Sequence, residues 1–129
     1  MRWASFLLGV VLLAGCGFGP FPGGRLDGPE KSLQAYNWQA LPEVSVVLLE
    51  TRPATPYSVH VQLFHLNDGL YLDPAPARRW LHYIDQDARV RLRFSGDPAV
   101  YRALAVREEN PEVLAEFDED LVILRVESD

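Results

Sequence analysis

Few side chains in this sequence could do chemistry, and their spacing decides among them. The histidines are His60, His65 and His82. His60 and His65 lie five apart on one predicted strand, an odd interval that sends them to opposite faces. His82 falls on a predicted helix. No pair has the spacing of a zinc site, so no metal centre is expected. Ser58 and His60 share a strand face, but two groups on one strand do not make a nucleophile held by an oriented base. No catalytic residue is assigned. The alternating row Ser58, His60 and Gln62 faces solvent, a dimer partner or a pocket in the fold. Asp118-Glu119-Asp120 offers calcium's ligand type without a loop pattern to hold the ion.

Arg78 and Arg79 are the more pointed feature. They fall in the first turn of a predicted helix, where two cations oppose a dipole whose near end is already positive. Free N–H groups, the dipole and two guanidinium forks together would hold an anion such as a phosphate. The plainer reading pairs each arginine with a surface carboxylate. Arg89, Arg91 and Arg93 form a second, one-sided stripe, read as a strand face paired with Glu side chains across a sheet.

Around these residues the chain reads as a sheet. Residues 43–50 (EVSVVLLE) are β-branched and apolar on both faces, which predicts a buried strand. Two prolines mark a turn over 51–56. Residues 57–65 (YSVHVQLFH) alternate, with Tyr57, Val59, Val61 and Leu63 on the other face from Ser58, His60 and Gln62. Leu66-Asn67-Asp68-Gly69 predicts a hairpin, with Asp68-Gly69 its strongest signal, and a short strand returns over 70–73. Asp73-Pro74 looks like a helix cap followed by proline. Ala77, Trp80, Leu81 and Ile84 then make one apolar helix face. Trp80 anchors that helix and is the aromatic candidate for the pocket beside Ser58, His60 and Gln62. Strands follow over 88–94 and 99–107, with Ser95-Gly96-Asp97-Pro98 turning between them. Asn110-Pro111 opens a short helix to Phe117, and 121–127 is the last strand. The expected fold is mainly β (α+β): a six-stranded antiparallel barrel in the order β-β-β-α-β-β-α-β, its two short helices over the open ends.

The first sixteen residues differ in kind. Arg2 is followed by an apolar run from Trp3 to Leu13, then Ala14-Gly15-Cys16. This resembles a bacterial lipoprotein signal peptide, with small residues before a cysteine that takes lipid. The run is short for a bilayer span and has the flanks of a cleaved leader. The resemblance implies a leader over 1–15, a lipidated Cys16 opening a Gly/Pro-rich tether over 16–42, and a folded domain over 43–129. Palmitate-type chains on Cys16 would make the membrane a partner, since two or more chains anchor stably. The address is the bacterial cell envelope. Gly17 after the cysteine points to the outer membrane facing the periplasm in a Gram-negative cell, and otherwise to the outer face of the cell membrane. The formal charge is −6, with Lys31 the single lysine. An acidic chain of this kind is not expected to bind nucleic acid. Within 30–41, Leu33, Tyr36, Trp38 and Leu41 predict one helical turn or a strap over the domain, with Tyr36 and Trp38 free to cover an edge or a groove.

Residues 70–94 (LYLDPAPARRWLHYIDQDARVRLRF) resemble the split β-barrel superfamily, which includes pyridoxamine-phosphate-oxidase-like flavoproteins and deazaflavin-dependent nitroreductases. The likeness lies in a strand and loop followed by Arg78-Arg79-Trp80, then Asp87-Ala88-Arg89-Val90 leading into a period-two strand. It implies a flavin (FMN) or deazaflavin cofactor, with phosphate held by Arg78, Arg79 and Arg52, and a homodimer. Departures from the pattern are also specific. The turn over 51–56 has one arginine and no glycine, and 73–76 lacks the hydroxyls that often line the phosphate pocket. The expectation is therefore an envelope binding or assembly module without chemistry of its own. A flavin- or deazaflavin-dependent oxidoreductase is the alternative.

Overall fold

The computed structural model describes residues 23–74, 78–117 and 122–129. The longest strands are β2 (Val44–Thr51) and β3 (Tyr57–Leu66), which pair antiparallel from Val44↔Phe64 to Thr51↔Tyr57. Before them comes β1 (Glu30–Ser32), followed by single 3-10 turns at Leu33–Ala35 and Trp38–Ala40. After them come β4 (Gly69–Leu72), α1 (Arg79–Gln86), β5 (Arg89–Arg93), β6 (Val100–Arg107), α2 (Pro111–Leu114) and β7 (Leu124–Ser128).

Strands β6, β5, β2, β3, β4 and β7 lie side by side, all antiparallel, and β7 pairs back onto β6. The sheet is thus a closed six-stranded barrel without free edges. Its strand and helix order is the one read from the sequence, with β1 as an addition. Strand β7 covers β6 only from Ala103 to Arg107. β1 runs parallel to β6 against Val100, Tyr101 and Arg102, and so takes up the rest of that edge.

Period-two alternation fills the interior. Val47 and Leu49 on β2, Leu63 on β3, Leu70 and Leu72 on β4, Val90 and Leu92 on β5, and Leu124 and Val126 on β7 form one buried cluster. β2 departs from the expectation of a strand buried on both faces. Its outward Val44 and Val46 are 45% and 55% exposed, because closing the barrel gives each strand one inner face and none of the described residues covers the outer face there.

The hairpin at 66–69 forms as expected, but its special geometry sits one residue earlier. Asn67 and Asp68 have φ of 49° and 65°, so they are the two central residues of a type I′-like turn. Gly69 opens β4 instead. A Cβ there would stand 2.5 Å from the Tyr71 hydroxyl oxygen, so glycine is needed for ring packing rather than for a positive φ. Helix α1 begins at Arg79 with Arg78 in the cap position and no side-chain cap. The cap expected from Asp73-Pro74 is not used by α1, whose first turn lies several residues further on. Ala77, Asp118, Glu119, Asp120 and the first sixteen residues lie outside the described residues. Trp80, Leu81 and Ile84 are buried on the apolar face of α1, as its spacing predicts. Asn110 caps α2, its side-chain oxygen accepting from the Glu112 N–H at 3.0 Å.

Candidate functional site

Two clusters of functional side chains sit at opposite ends of the barrel, and the strand directions put them there. The β2–β3 turn, the start of β5 and the end of β6 share one end. The β3–β4 turn and the end of β7 share the other.

At the first end, α1 lies beside the β2–β3 turn. Arg52 in that turn adopts a left-handed φ of 56°, and its Nε donates to the Thr55 carbonyl at 2.8 Å. Its guanidinium carbon lies 4.2 Å from the centre of the Tyr83 ring, a cation–π geometry. Tyr83 in turn meets Tyr57 edge-on at 5.3 Å. Arg78, Arg79, His82, Tyr83, Asp85 and Arg107 line an open groove of about 460 Å³. Arg107 holds Asp85 with two hydrogen bonds, at 3.1 and 2.8 Å. Arg78 and Arg79 are exposed and have no ion-pair partner among the described residues. Of the three arginines expected to share a phosphate, Arg78 and Arg79 line this groove, while Arg52 is not part of its lining and reaches only the Tyr83 ring.

The remaining sequence candidates do not gather. Ser58 is buried because Gly23 crosses it, the two backbones exchanging hydrogen bonds of 2.8 and 2.9 Å. His60 and Gln62 point outward and are exposed. Trp80 points into the core. Alternation along β3 and the apolar stripe of α1 face opposite ways, so Ser58, His60, Gln62 and Trp80 line no common pocket. Cys16 lies outside the described residues.

Between the two ends runs a strap. Residues 23–29 cross the outer face of the barrel, β1 follows β6, and the two 3-10 turns reach the second end. The sequence predicts a Gly/Pro-rich tether here, with one helical turn or a strap within 30–41, and the described residues 23–41 are fastened at many points. Glu50 is 4% exposed, accepts the Leu26 N–H at 2.6 Å, and is bound through both oxygens by Arg91 at 2.9 and 2.8 Å. Arg91 also donates to the Leu26 carbonyl at 2.6 Å and to Glu30 at 3.1 Å. Its bonds to the carboxylates of Glu50, first, and Glu30 raise its pKa. The paired arginine stripe expected on β5 is thus met at Arg91, though buried beneath the strap rather than solvated.

The strap ends over the second opening. Leu33 is fully buried in the barrel cluster. The Tyr36 ring stacks on Phe94 with centroids 3.9 Å apart and meets Tyr101 edge-on at 5.1 Å. Tyr101 donates from its hydroxyl to Asp97 at 2.6 Å, and this bond, with burial, pushes its pKa up to about 12. The Trp38 indole N–H donates to the Leu33 carbonyl at 3.2 Å, which fixes the ring. Around it opens a groove of about 690 Å³, lined by Gln34, Tyr36, Asn37, Trp38, Gln39 and Asp68 among others. His65 also lines it, and its Nδ1 lies 3.3 Å from the Leu41 carbonyl. Tyr36 and Trp38 are the residues expected from sequence to cover a groove, whereas the amides interleaved with them carry no such expectation. That interleaving, Gln34-Ala35-Tyr36-Asn37-Trp38-Gln39, was the available signal.

No protein-family model matches the chain, and no curated protein or solved structure does either.

Proposed function

We propose that this chain is a membrane-anchored lipoprotein of the bacterial cell envelope whose barrel is a binding or assembly module without chemistry of its own. The observation that carries the reading is the strap. Its first described residue, Gly23, is already hydrogen-bonded to Ser58 of β3, seven residue steps from Cys16. Chain geometry limits that reach to about 25 Å. A lipid on Cys16 would then hold the barrel close against the bilayer, presenting one side of it outward. No helix among the described residues is long and apolar enough to cross a membrane.

Expression of the full chain in a bacterial host tests this. The expected product begins at Cys16, carries acyl mass on that residue and sediments with membranes, whereas Cys16→Ser is released to the soluble fraction. An unacylated product, or a Cys16→Ser variant that stays with the membrane, would sink the reading.

A second reading is favoured by one observation: Arg78, Arg79 and Tyr83 line one groove, and Arg52 lies over the Tyr83 ring. Two guanidiniums without carboxylate partners among the described residues fit a phosphate monoester, and Asp85 in the same groove is already neutralised by Arg107. Arg78 and Arg79 would hold the phosphate of a flavin or deazaflavin, and Arg52 would keep the Tyr83 ring in place. The cofactor would supply hydride transfer, and the protein would supply orientation. An absorbance spectrum of the protein recovered from its own envelope, followed by titration with FMN, decides between the readings. A bound chromophore that disappears in the Arg78→Ala, Arg79→Ala double variant would replace the first reading with the second. The native mass of the same preparation tests the homodimer implied by the split-barrel resemblance.

A further inference from the structure

We propose that the groove between the strap and the β3–β4 turn binds an uncharged oligosaccharide. The proposal names a ligand class for the binding module above and rests on that reading, but not on the anchor. Three features of the groove point to sugar.

The first is a fixed aromatic surface. Trp38 is half-buried, its only polar atom is satisfied by the Leu33 carbonyl, and it lines the groove. Tyr36 beside it is locked between Phe94 and Tyr101. An aromatic ring held this way offers a broad apolar face at little further cost in conformational entropy. The C–H face of a pyranose is a flat apolar surface of matching size.

The second is the polar rim. Gln34, Asn37 and Gln39 bring three side-chain amides to the groove that Tyr36 and Trp38 line, and Asp68 brings a carboxylate. None of these four side chains has a hydrogen-bond partner among the described residues. An amide both donates and accepts, and a carboxylate accepts from two directions. Sugar hydroxyls, which also do both, are the natural complement of such a set.

The third is the charge. The side chains on the rim include the carboxylates of Asp68 and Asp129 and no arginine or lysine. Asp129 is tied to Arg102 at 2.9 Å, which leaves Asp68 to set the local field. A phosphate or carboxylate ligand would be repelled here, in contrast to the arginine-lined groove at the other end. A neutral glycan would not.

The test uses the full chain in detergent, titrated by isothermal calorimetry with tetramers of β-1,4-linked N-acetylglucosamine, β-1,4-linked glucose and α-1,4-linked glucose. At least one tetramer is expected to bind, and glucose 6-phosphate to compete poorly. Trp38→Ala should weaken binding about tenfold or more, as expected for loss of a stacking surface. Because Trp38 also fastens the strap, the exposed pair Asn37→Ala and Gln39→Ala serves as a second variant. It should melt like the parent yet bind several-fold more weakly. Absence of binding to all three sugars, or binding unmoved in both variants, would overturn the proposal. Neither result touches the acylation of Cys16, which is scored separately by mass and sedimentation.

Discussion

Glu50 is the residue on which the outer face of the barrel turns. It is the one carboxylate in β2, a strand otherwise of Val, Leu, Ser and Thr, and the fold almost removes it from water. Its oxygens take three hydrogen bonds, one from the strap and two from Arg91. A buried pair of this kind adds little over an apolar pair, but losing one partner strands a charge. Glu50→Ala should therefore cost about 3 kcal/mol or more of unfolding free energy, measured by urea titration. Glu50→Leu with Arg91→Leu should cost clearly less than that single change. Equal losses would show that the network is not acting as a charge pair. Tyr101 and Asp97 give a second residue-scale outcome, in pH. Tyr101 is raised from 10.0 to about 12, so the stability it contributes is full below pH 10.0 and is lost as pH rises toward 12. Asp97 is lowered from 3.8, first by the Tyr101 bond and then by the Ala99 N–H. Its contribution is present above 3.8 and is lost as pH falls through the lowered value. The thermal midpoint should drop faster between pH 10 and 12 in the parent than in Tyr101→Phe. Parallel curves would refute the assignment.

Among the elements, the hairpin joining β3 and β4 shows best how local sequence and packing divide the work. Asparagine and aspartate are, after glycine, the residues that accept positive φ most readily, and here Asn67 and Asp68 both do so. The following glycine leaves room for Tyr71, whose ring meets Phe117 at 5.7 Å on the outer side of β4. Gly69→Ala should push that ring off Phe117 and destabilise the protein by about 1–3 kcal/mol, the usual cost of overpacking. The near-ultraviolet circular dichroism of the tyrosine should change with it. A variant as stable as the parent would mean that the ring relaxes freely. A turn signal read from sequence could identify the hairpin, but not that its glycine serves a ring two residues on. Helix α1 divides similarly. Its apolar stripe, Trp80, Leu81 and Ile84, followed from spacing alone. Its start at Arg79 rather than near Asp73 did not, because a cap-and-proline signal states a preference that the path of the preceding chain can override.

At the scale of the whole molecule, the sequence determined the repertoire of elements. Six alternating strands, two helices, the hairpin turns and the inward face of nearly every strand are local properties, set by periods of two and 3.6 and by a few turn residues. Arg52 could be grouped with Arg78 and Arg79 in advance only through a resemblance. What the tertiary structure decided was where the ends of those elements meet. Closure of the barrel left Val44 and Val46 exposed on the outer face of β2, which the sequence painted as apolar on both sides. Residues 23–41, read as tether and strap, became a brace held by Glu50, Arg91, Ser58 and the unpaired edge of β6. Gln34, Asn37 and Gln39 gained a common groove with Asp68, about thirty residues away in sequence. The physical reason is the same in each case. Periodicity says which way a side chain faces, but bringing distant segments together depends on the whole sheet closing, and no short window of sequence contains that information.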